Sequence, residues 1–263
     1  MKFCGKSDVG MHRHVNQDSY RAMHVWDDNA TLLVVCDGMG GHKAGEIASN
    51  TAVRIFCEKV ISSPCEETEK EKILESIRYT LVSAASEANA AILRLAQENE
   101  EYQGMGTTLV AVIIYEGYFY AINIGDSRFY IVTKEETTLV TKDHSFVQYL
   151  IDNGKLTEEE AKSCPRKNVI TRAVGIAEKL DVDFFSAPLS PWENGYLLLC
   201  SDGLSNYADS GVFANILFSS SHWFISQDED LAKKTDALIS FANEKGGSDN
   251  ITAVVARFRN SND

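Results

Sequence analysis

The chain has 263 residues, of which 44% are hydrophobic and 24% are charged, an ordinary composition for a globular protein. Its 38 acidic and 25 basic residues give a formal charge of −13, which argues against nucleic acid and anionic membranes as partners. The sequence contains four prolines and shows no linker-like or repetitive stretch, so we expect one domain over residues 1–263.

The N-terminal residues and the cysteines indicate a cytoplasmic protein. The first eight residues lack the apolar core of a signal peptide. The longest apolar stretches, such as residues 109–115, are too short to span a bilayer. The six cysteines form no Cys-x-x-Cys pair, and Cys36 and Cys200 fall within predicted buried strands. We interpret them as reduced core residues, as expected in the cytoplasm.

The first predicted elements are a buried strand and two helices. Residues 31–36 form an apolar run that ends in an Asp-Gly pair, which is typical of a strand followed by a turn. Apolar residues at helical spacing predict helices over residues 44–60 and 68–98. The pattern then changes, because residues 107–140 are rich in β-branched and aromatic side chains interrupted by turn residues. That region is predicted to form antiparallel strands joined by hairpins.

The second half of the chain alternates between helices and strands. Two short helices are predicted within residues 146–162, the second beginning at a capping box formed by Thr157 and Glu160. Further strands are predicted over residues 181–185, 196–200 and 251–258, and further helices over residues 209–218 and 230–243. Blocks of antiparallel strands separated by helices favour an α+β layered sandwich over a doubly wound parallel sheet.

Three aspartates stand at the ends of apolar runs. Asp37 follows the run 31–36, Asp202 follows the run ending at Cys200, and Asp249 precedes the run beginning at Ile251. A carboxylate at the end of a buried strand is costly unless a positive charge meets it. If the three ends converge, their oxygens would suit Mg²⁺ or Mn²⁺.

These aspartates belong to a longer ordered set of motifs. The set comprises Ser7-Asp8-Val9-Gly10, Arg13, Asn16-Gln17-Asp18-Ser19, Asp37-Gly38-Met39-Gly40-Gly41-His42, Gly106-Thr107-Thr108, Gly125-Asp126-Ser127-Arg128, Asp143-His144-Ser145, Ser201-Asp202-Gly203 and Asp249-Asn250. In this order it resembles the metal-dependent serine/threonine protein phosphatases of type 2C, most closely their compact bacterial branch. The resemblance covers roughly residues 5–258. It implies a four-layer αββα sandwich of two antiparallel sheets flanked by helices, with a two-metal centre at one edge.

The resemblance also implies a set of metal ligands. Asp37 matches the carboxylate that bridges two Mn²⁺ or Mg²⁺ ions, and Gly38 matches the residue whose carbonyl binds one of them. Asp202 and Asp249 match the remaining carboxylates. Asp126 matches the acid that helps to bind a weaker third ion, although a hairpin turn beside an arginine is the alternative. So few carboxylates cannot complete two octahedra, so water must supply the other ligands.

The remaining motif residues would contact the substrate phosphate or surround the metal ligands. Arg13 matches the arginine that grips the substrate phosphate, with a surface ion pair as the alternative. Asp18 either orients Arg13, holds a metal-bound water or forms a turn. Met39 stands where animal members carry a histidine, and His42 is not a positional match, so we expect a metal-bound water to protonate the leaving oxygen. Gln17 replaces a common glutamate, which would weaken metal affinity slightly.

Two further segments are assigned by position. Residues 143–175 resemble the bacterial flap beside the active site, a loop region that shapes substrate entry. His144, at the start of this segment, is interpreted either as part of the flap or as a helix-capping or surface histidine. Asp8 is expected to lie behind the metal ligands.

The expected activity is hydrolysis of phosphoserine and phosphothreonine by a water that bridges two metal ions. Its partners would be phosphorylated proteins that are substrates of a serine/threonine kinase, and the chain would act as a monomer. One alternative is a phosphatase devoted to a single small phosphorylated regulator. Another is a catalytically weak member that binds phosphoproteins. A magnesium-dependent nucleotide-binding protein is disfavoured because the sequence lacks a Gly-x4-Gly-Lys-Ser/Thr loop.

Overall fold

Two antiparallel sheets lie face to face in the computed structural model, which describes residues 1–41, 43–192, 194–208, 210–219 and 227–259. In chain order the strands are β1 (Lys2–Asp8), β2 (Asp18–Val25), β3 (Ala30–Met39), β4 (Gly106–Thr107), β5 (Leu109–Tyr115), β6 (Tyr118–Ile124), β7 (Arg128–Val132), β8 (Thr137–Leu139), β9 (Asp183–Pro188), β10 (Asn194–Cys200) and β11 (Ile251–Arg259). Sheet I has the order β1-β11-β10-β7-β8. Sheet II has the order β2-β3-β5-β6-β9, with β4 paired to the end of β3.

Helices cover the outer face of each sheet. In chain order the α-helices of the described residues are α1 (Ala44–Ile61), α2 (Lys70–Glu98), α3 (Phe146–Asp152), α4 (Glu158–Lys162), α5 (Asp202–Ser205), α6 (Ser210–Leu217) and α7 (Gln227–Glu244). One hydrophobic cluster joins α1 and α2 to sheet II, and a second joins α5, α6 and α7 to sheet I. The predicted four-layer αββα fold is therefore confirmed.

The middle of the sandwich explains the uninterrupted apolar runs. In β3, Leu33 and Val35 face the other sheet and share a buried cluster with Leu197 of β10. The alternating residues Leu32 and Val34 face α1 and α2 instead. Because successive side chains of a strand point to opposite faces, a strand covered on both sides must be apolar throughout.

Most predicted elements are present, with small shifts at their ends. The capping box at the start of α4 is formed, with the Thr157 side chain accepting from the Glu160 backbone N–H. Strand β9 begins two residues later than predicted and runs to Pro188. The predicted helix over residues 209–218 is observed from Ser210, and Asp209 lies outside the described residues. No helix in the described ranges has the length and apolarity needed to cross a bilayer.

The sequence patterns did not predict β1 and β2. Both are edge strands, β1 in sheet I and β2 in sheet II. Each carries charged side chains, such as Lys6 in β1 and Arg21 in β2. Charged residues on an edge strand interrupt the apolar pattern that identifies strands, and they also discourage pairing with another chain.

Candidate active site

The aspartates singled out in the sequence meet at one edge of the sandwich. Asp37 lies near the C-terminal end of β3, directly after its apolar run, and Asp126 follows the C-terminal end of β6. Asp18, at the start of β2, lies directly opposite Asp37 in the sheet register. Asp202 follows β10 and Asp249 precedes β11, and these two strands run antiparallel, so both residues lie at the corresponding edge of sheet I.

The pKa values of these carboxyl groups are raised by burial and by the negative charges of their neighbours. Burial raises the pKa of Asp37 well above its usual range, and the charges of Asp18, Asp202, Asp126 and Asp249 raise it further. Burial, followed by the charge of Asp202, raises the pKa of Asp126 to about 7. The pKa of Asp202 is raised by burial and then by Asp249. A group of partly desolvated acids that repel one another favours occupation by a cation.

Two buried oxygen atoms in this group lack hydrogen-bond partners. Oδ1 of Asp18 and Oδ1 of Asp202 accept no hydrogen bond from the described residues. An unpartnered buried carboxylate oxygen is costly, and coordination to a divalent ion removes that cost. Among the described residues, no three acidic, histidine or cysteine side chains form a ready-made metal site. Water would have to supply the additional ligands if these oxygens hold hard dications.

The backbone around Asp37 is held by two threonines and by close packing. The Thr108 hydroxyl accepts a hydrogen bond from the Asp37 N–H at 2.8 Å. The Thr107 hydroxyl donates to the Asp37 carbonyl at 2.9 Å. At the next residue, a Cβ on Gly38 would collide with the carbonyl oxygen of Gly45 in α1. The Asp37-Gly38 backbone is thus fixed from both sides.

Asp18 links the two sheets. Its Oδ2 accepts hydrogen bonds from the Ser201 hydroxyl at 2.7 Å and from the Thr252 hydroxyl at 2.6 Å. The turn that precedes it is formed by Asn16, whose side chain accepts from the Asp18 N–H. Among the roles considered for Asp18, this position suits support of a metal-bound water, since Oδ1 is left free at the site.

Asp18 should make the metal-free protein less stable as the pH rises. Burial raises the pKa of Asp18 from 3.8 to about 7, so the folded state holds its proton more tightly than the unfolded state does. The resulting stability is present below about pH 4 and is lost as the pH rises through about 7. Asp18→Asn keeps an oxygen for both hydroxyls and removes the titration. In urea unfolding with EDTA, this variant should lose less stability than the wild type between acidic and mildly alkaline pH.

Asp28→Asn is the matched control, because Asp28 is an exposed aspartate in the turn between β2 and β3. If Asp18→Asn and Asp28→Asn show the same pH dependence as the wild type, Asp18 does not titrate in this range.

Arg13 lies next to one of the candidate metal ligands. Its Nη2 is 2.8 Å from Oδ2 of Asp249, and half of its side chain is exposed. The Asn250 side chain fixes the loop that carries Arg13, since it donates to the carbonyls of Val9 and Val15 at 2.9 and 3.0 Å. A guanidinium held at the rim of the site can reach an incoming phosphate.

His144 is buried behind Asp126. Its Nδ1 accepts from the N–H of Gly125 at 3.1 Å, and its Nε2 is 3.1 Å from Oδ2 of Asp183. Burial lowers the pKa of His144. The interpretation of His144 as a surface or helix-capping histidine is wrong, because its side chain is 7% exposed and Ser145 caps α3.

The neighbouring arginine does not pair with Asp126. Arg128 forms two hydrogen bonds with Asp143, at 2.8 and 2.6 Å. The chain crosses from sheet II to sheet I between β6 and β7, so Asp126 does not lie in a hairpin turn beside Arg128. Its position beside Asp202 and its raised pKa make it available to a cation.

The positions of Met39 and Asp8 can be described, and that of His42 cannot. Met39 lies beside Gly106, where an added Cβ would come within 2.8 Å of the Met39 methyl carbon. Asp8 accepts hydrogen bonds from the Gly10 N–H and the Asn243 amide, so it supports the N-terminal loop. His42 lies outside the described residues.

Sequence reasoning did not assign roles to four polar residues of the site. Thr108, Ser201, Thr252 and Asn250 position the aspartates or the Arg13 loop. Three of them, Thr108, Ser201 and Asn250, occur within motifs already noted, and two of these, Ser201 and Asn250, stand directly beside an aspartate. Polar residues directly beside a strand-end aspartate were the signal available in the sequence.

Comparison with known proteins identifies the family. A family model described as Protein phosphatase 2C matches residues 10–252. The serine/threonine phosphatase stp of Listeria welshimeri is 37% identical over 250 residues, which cover 95% of this chain and 93% of that protein.

Solved structures give the same result. The S. agalactiae serine/threonine phosphatase superposes with a TM-score of 0.86 and 34% identity, covering 98% of this chain and 99% of that one. The catalytic domain of the phosphatase PstP in complex with two manganese ions has a TM-score of 0.77 and 31% identity, with 98% of each chain covered. The chain therefore belongs to the type 2C family of serine/threonine protein phosphatases.

Proposed function

We propose that this chain hydrolyses phosphoserine and phosphothreonine in proteins by a two-metal mechanism. Asp37, Gly38, Asp202 and Asp249 would hold two Mn²⁺ or Mg²⁺ ions, and Asp126 would help to hold a weaker third. The observation that carries the proposal is the group of half-buried and buried carboxylates with raised pKa values and two unpartnered oxygens. When bound, the dications supply the charge that lowers the pKa of a shared water and offsets charge on the phosphoryl group. A related catalytic domain, that of PstP, has been crystallised with two manganese ions.

The side chains of this protein position the reactants. The Arg13 guanidinium turns from Asp249 toward the phosphoryl oxygens and orients the phosphorus for attack from the side of Asp37. Asp18, fixed by Ser201 and Thr252, accepts a hydrogen bond from a water at the site through its free Oδ1. The reaction needs no covalent intermediate with the enzyme.

The proposed substrates and compartment are argued from the named relatives, the net charge and the cysteines. Named relatives are serine/threonine phosphatases, which supports phosphorylated proteins, the substrates of a serine/threonine kinase, as partners. The net charge of −13 would repel a phosphoprotein, so bound cations must reverse the sign locally. Buried free cysteines, including Cys36 and Cys200, suit the cytoplasm as the compartment. We further propose a monomer with one domain over residues 1–263 and a flap over residues 143–175.

A binding module without activity is the weaker candidate. Degenerate phosphatases are expected to lose ligands at the metal centre, whereas Asp37, Asp202 and Asp249 are all present and grouped. Nothing in the site favours this alternative.

Hydrolysis of matched peptides tests the proposed function. The purified chain, supplied with Mn²⁺, should release phosphate from phosphothreonine and phosphoserine peptides and far more slowly from the phosphotyrosine version of the same peptide. Release should be insensitive to okadaic acid, which targets the other phosphatase class. Preference for phosphotyrosine, or no release from any peptide with Mn²⁺ or Mg²⁺, would contradict it.

Replacing Arg13 should affect substrate binding more than metal binding. Arg13→Ala removes the guanidinium that meets the phosphate, so KM for a phosphothreonine peptide should rise by about tenfold or more. Inhibition by inorganic phosphate should weaken in parallel. Arg54→Ala, which removes an exposed arginine paired with Glu58 on α1, is the control. If Arg13→Ala loses Mn²⁺ affinity and keeps its KM, Arg13 supports the metals and not the phosphate.

A further inference from the structure

A cavity of about 540 Å³ lies at the end of sheet II away from the carboxylates. It is lined by the first turns of α2, by the hairpin between β5 and β6, and by the end of β9. The active-site edge is at the opposite end of β6, about 20 Å away along a strand of seven residues. The volume lies within the range of small-molecule sites.

Three tyrosines form one wall of this cavity. They are Tyr115, Tyr118 and Tyr120, and the rings of Tyr118 and Tyr120 stack with centroids 6.3 Å apart. Tyr120 is only 4% exposed as a whole, and its hydroxyl, which forms no hydrogen bond with a described residue, is accessible to solvent from the cavity. Burial raises the pKa of Tyr120 to about 12, so this hydroxyl stays neutral and can both donate and accept. A hydroxyl that is open to the cavity and has no partner among the described residues can form a hydrogen bond with a polar group bound there.

The rim of the cavity is acidic. Glu67, Glu71 and Glu116 line it, are exposed, and form no ion pair with the described residues. The cavity also contains one cation of the chain itself, because the Lys70 ammonium lies 5.5 Å from the centre of the Tyr118 ring. The same ammonium donates to the Tyr118 hydroxyl at 3.3 Å. Within the aromatic wall, Tyr118 thus already contacts a positive charge of the chain itself.

We propose that this cavity binds a small organic ammonium ion. The ligand's ammonium takes the place of Lys70 over the ring of Tyr118, where the face of the ring attracts a cation. Carboxylates such as Glu71 at the rim add to the attraction. The apolar part of the ligand packs against Ile73 and Pro188, and a hydroxyl or amine on it meets the free hydroxyl of Tyr120.

Choline and its neutral isostere 3,3-dimethylbutan-1-ol provide the test, because they have the same shape and differ in charge. Binding is measured on the full chain by NMR of ring-labelled tyrosines. Choline should shift the Tyr118 and Tyr120 rings in a saturable way, and the neutral alcohol should not. Equal binding of both compounds, or no saturable shift with choline, would overturn the proposal.

Variants locate the site. Lys70→Ala removes the competing ammonium and should lower the Kd for choline about threefold or more, whereas Tyr118→Leu should raise it about tenfold. Tyr79→Leu, at a tyrosine that is 75% exposed and outside the cavity, is the matched control. Glu71→Gln, an exposed change that spares the core, should also raise the Kd. If Tyr118→Leu and Glu71→Gln both bind choline like Tyr79→Leu, the ammonium does not bind in this cavity.

Discussion

Asp37→Asn should lower kcat for a phosphothreonine peptide by about a thousandfold or more, which corresponds to about 4 kcal/mol of lost transition-state stabilisation. The amide has the shape of the carboxylate and lacks its charge, and Asp37 is near enough to four other aspartates for their charges to raise its pKa. The measurement is the initial rate of phosphate release with saturating Mn²⁺. Asp236→Asn, at an exposed aspartate on α7 that pairs with Lys6, should keep the wild-type rate.

The Tm of the same variant distinguishes a loss of catalysis from a loss of stability. Removing one of several repelling charges relieves strain in the metal-free site, so the Tm of Asp37→Asn in EDTA should equal or exceed that of the wild type. Addition of Mn²⁺ should raise the Tm of the wild type and leave that of the variant nearly unchanged. A variant that unfolds at a lower temperature in EDTA would show that the loss of rate reflects folding.

Gly38→Ala should destabilise the protein by about 3 kcal/mol, since overpacking at a rigid site forces the backbone to move. The added Cβ would overlap the carbonyl oxygen of Gly45 and would lie 2.6 Å from that of Gln17. Both contacts are with backbone atoms, which cannot rotate away as a flexible side chain can. Urea unfolding in EDTA measures the loss, and the response of activity to Mn²⁺ should also be lost.

Gly41→Ala, in the same motif, is the matched control. An added Cβ at Gly41 meets no atom within 4 Å, so the substitution should be tolerated. If Gly38→Ala and Gly41→Ala have the same stability, the backbone around Gly38 can adjust and the site is not fixed by this packing.

The features that the sequence predicted correctly depend on local pattern. The run of residues 31–36 is apolar throughout because β3 is covered by a sheet on one side and helices on the other. The helix over residues 70–98 shows a clear apolar stripe, because one face packs on sheet II. In each case the burial of the element requires apolar residues that are consecutive or regularly spaced, and this pattern is visible in the sequence.

The features that were missed depend on contacts between distant parts of the chain. The hydrogen bonds from Ser201 and Thr252 to Asp18 join residues 183 and 234 positions apart. Such pairs follow from the stacking of the two sheets, and a single sequence carries no period that reveals them. The burial of His144 was missed for the same reason, since its partner Asp183 belongs to the edge strand β9.

Counting the bound metal ions tests the central claim, that the strand-end carboxylates form a dication site. Wild-type protein stripped with EDTA is titrated with Mn²⁺, and free Mn²⁺ is measured by electron paramagnetic resonance. We expect about two tightly bound ions per chain for the wild type and for Asp236→Asn, and loss of this binding in Asp37→Asn. Equal binding of Mn²⁺ by the wild type and Asp37→Asn, or no tight binding by either, would contradict the account.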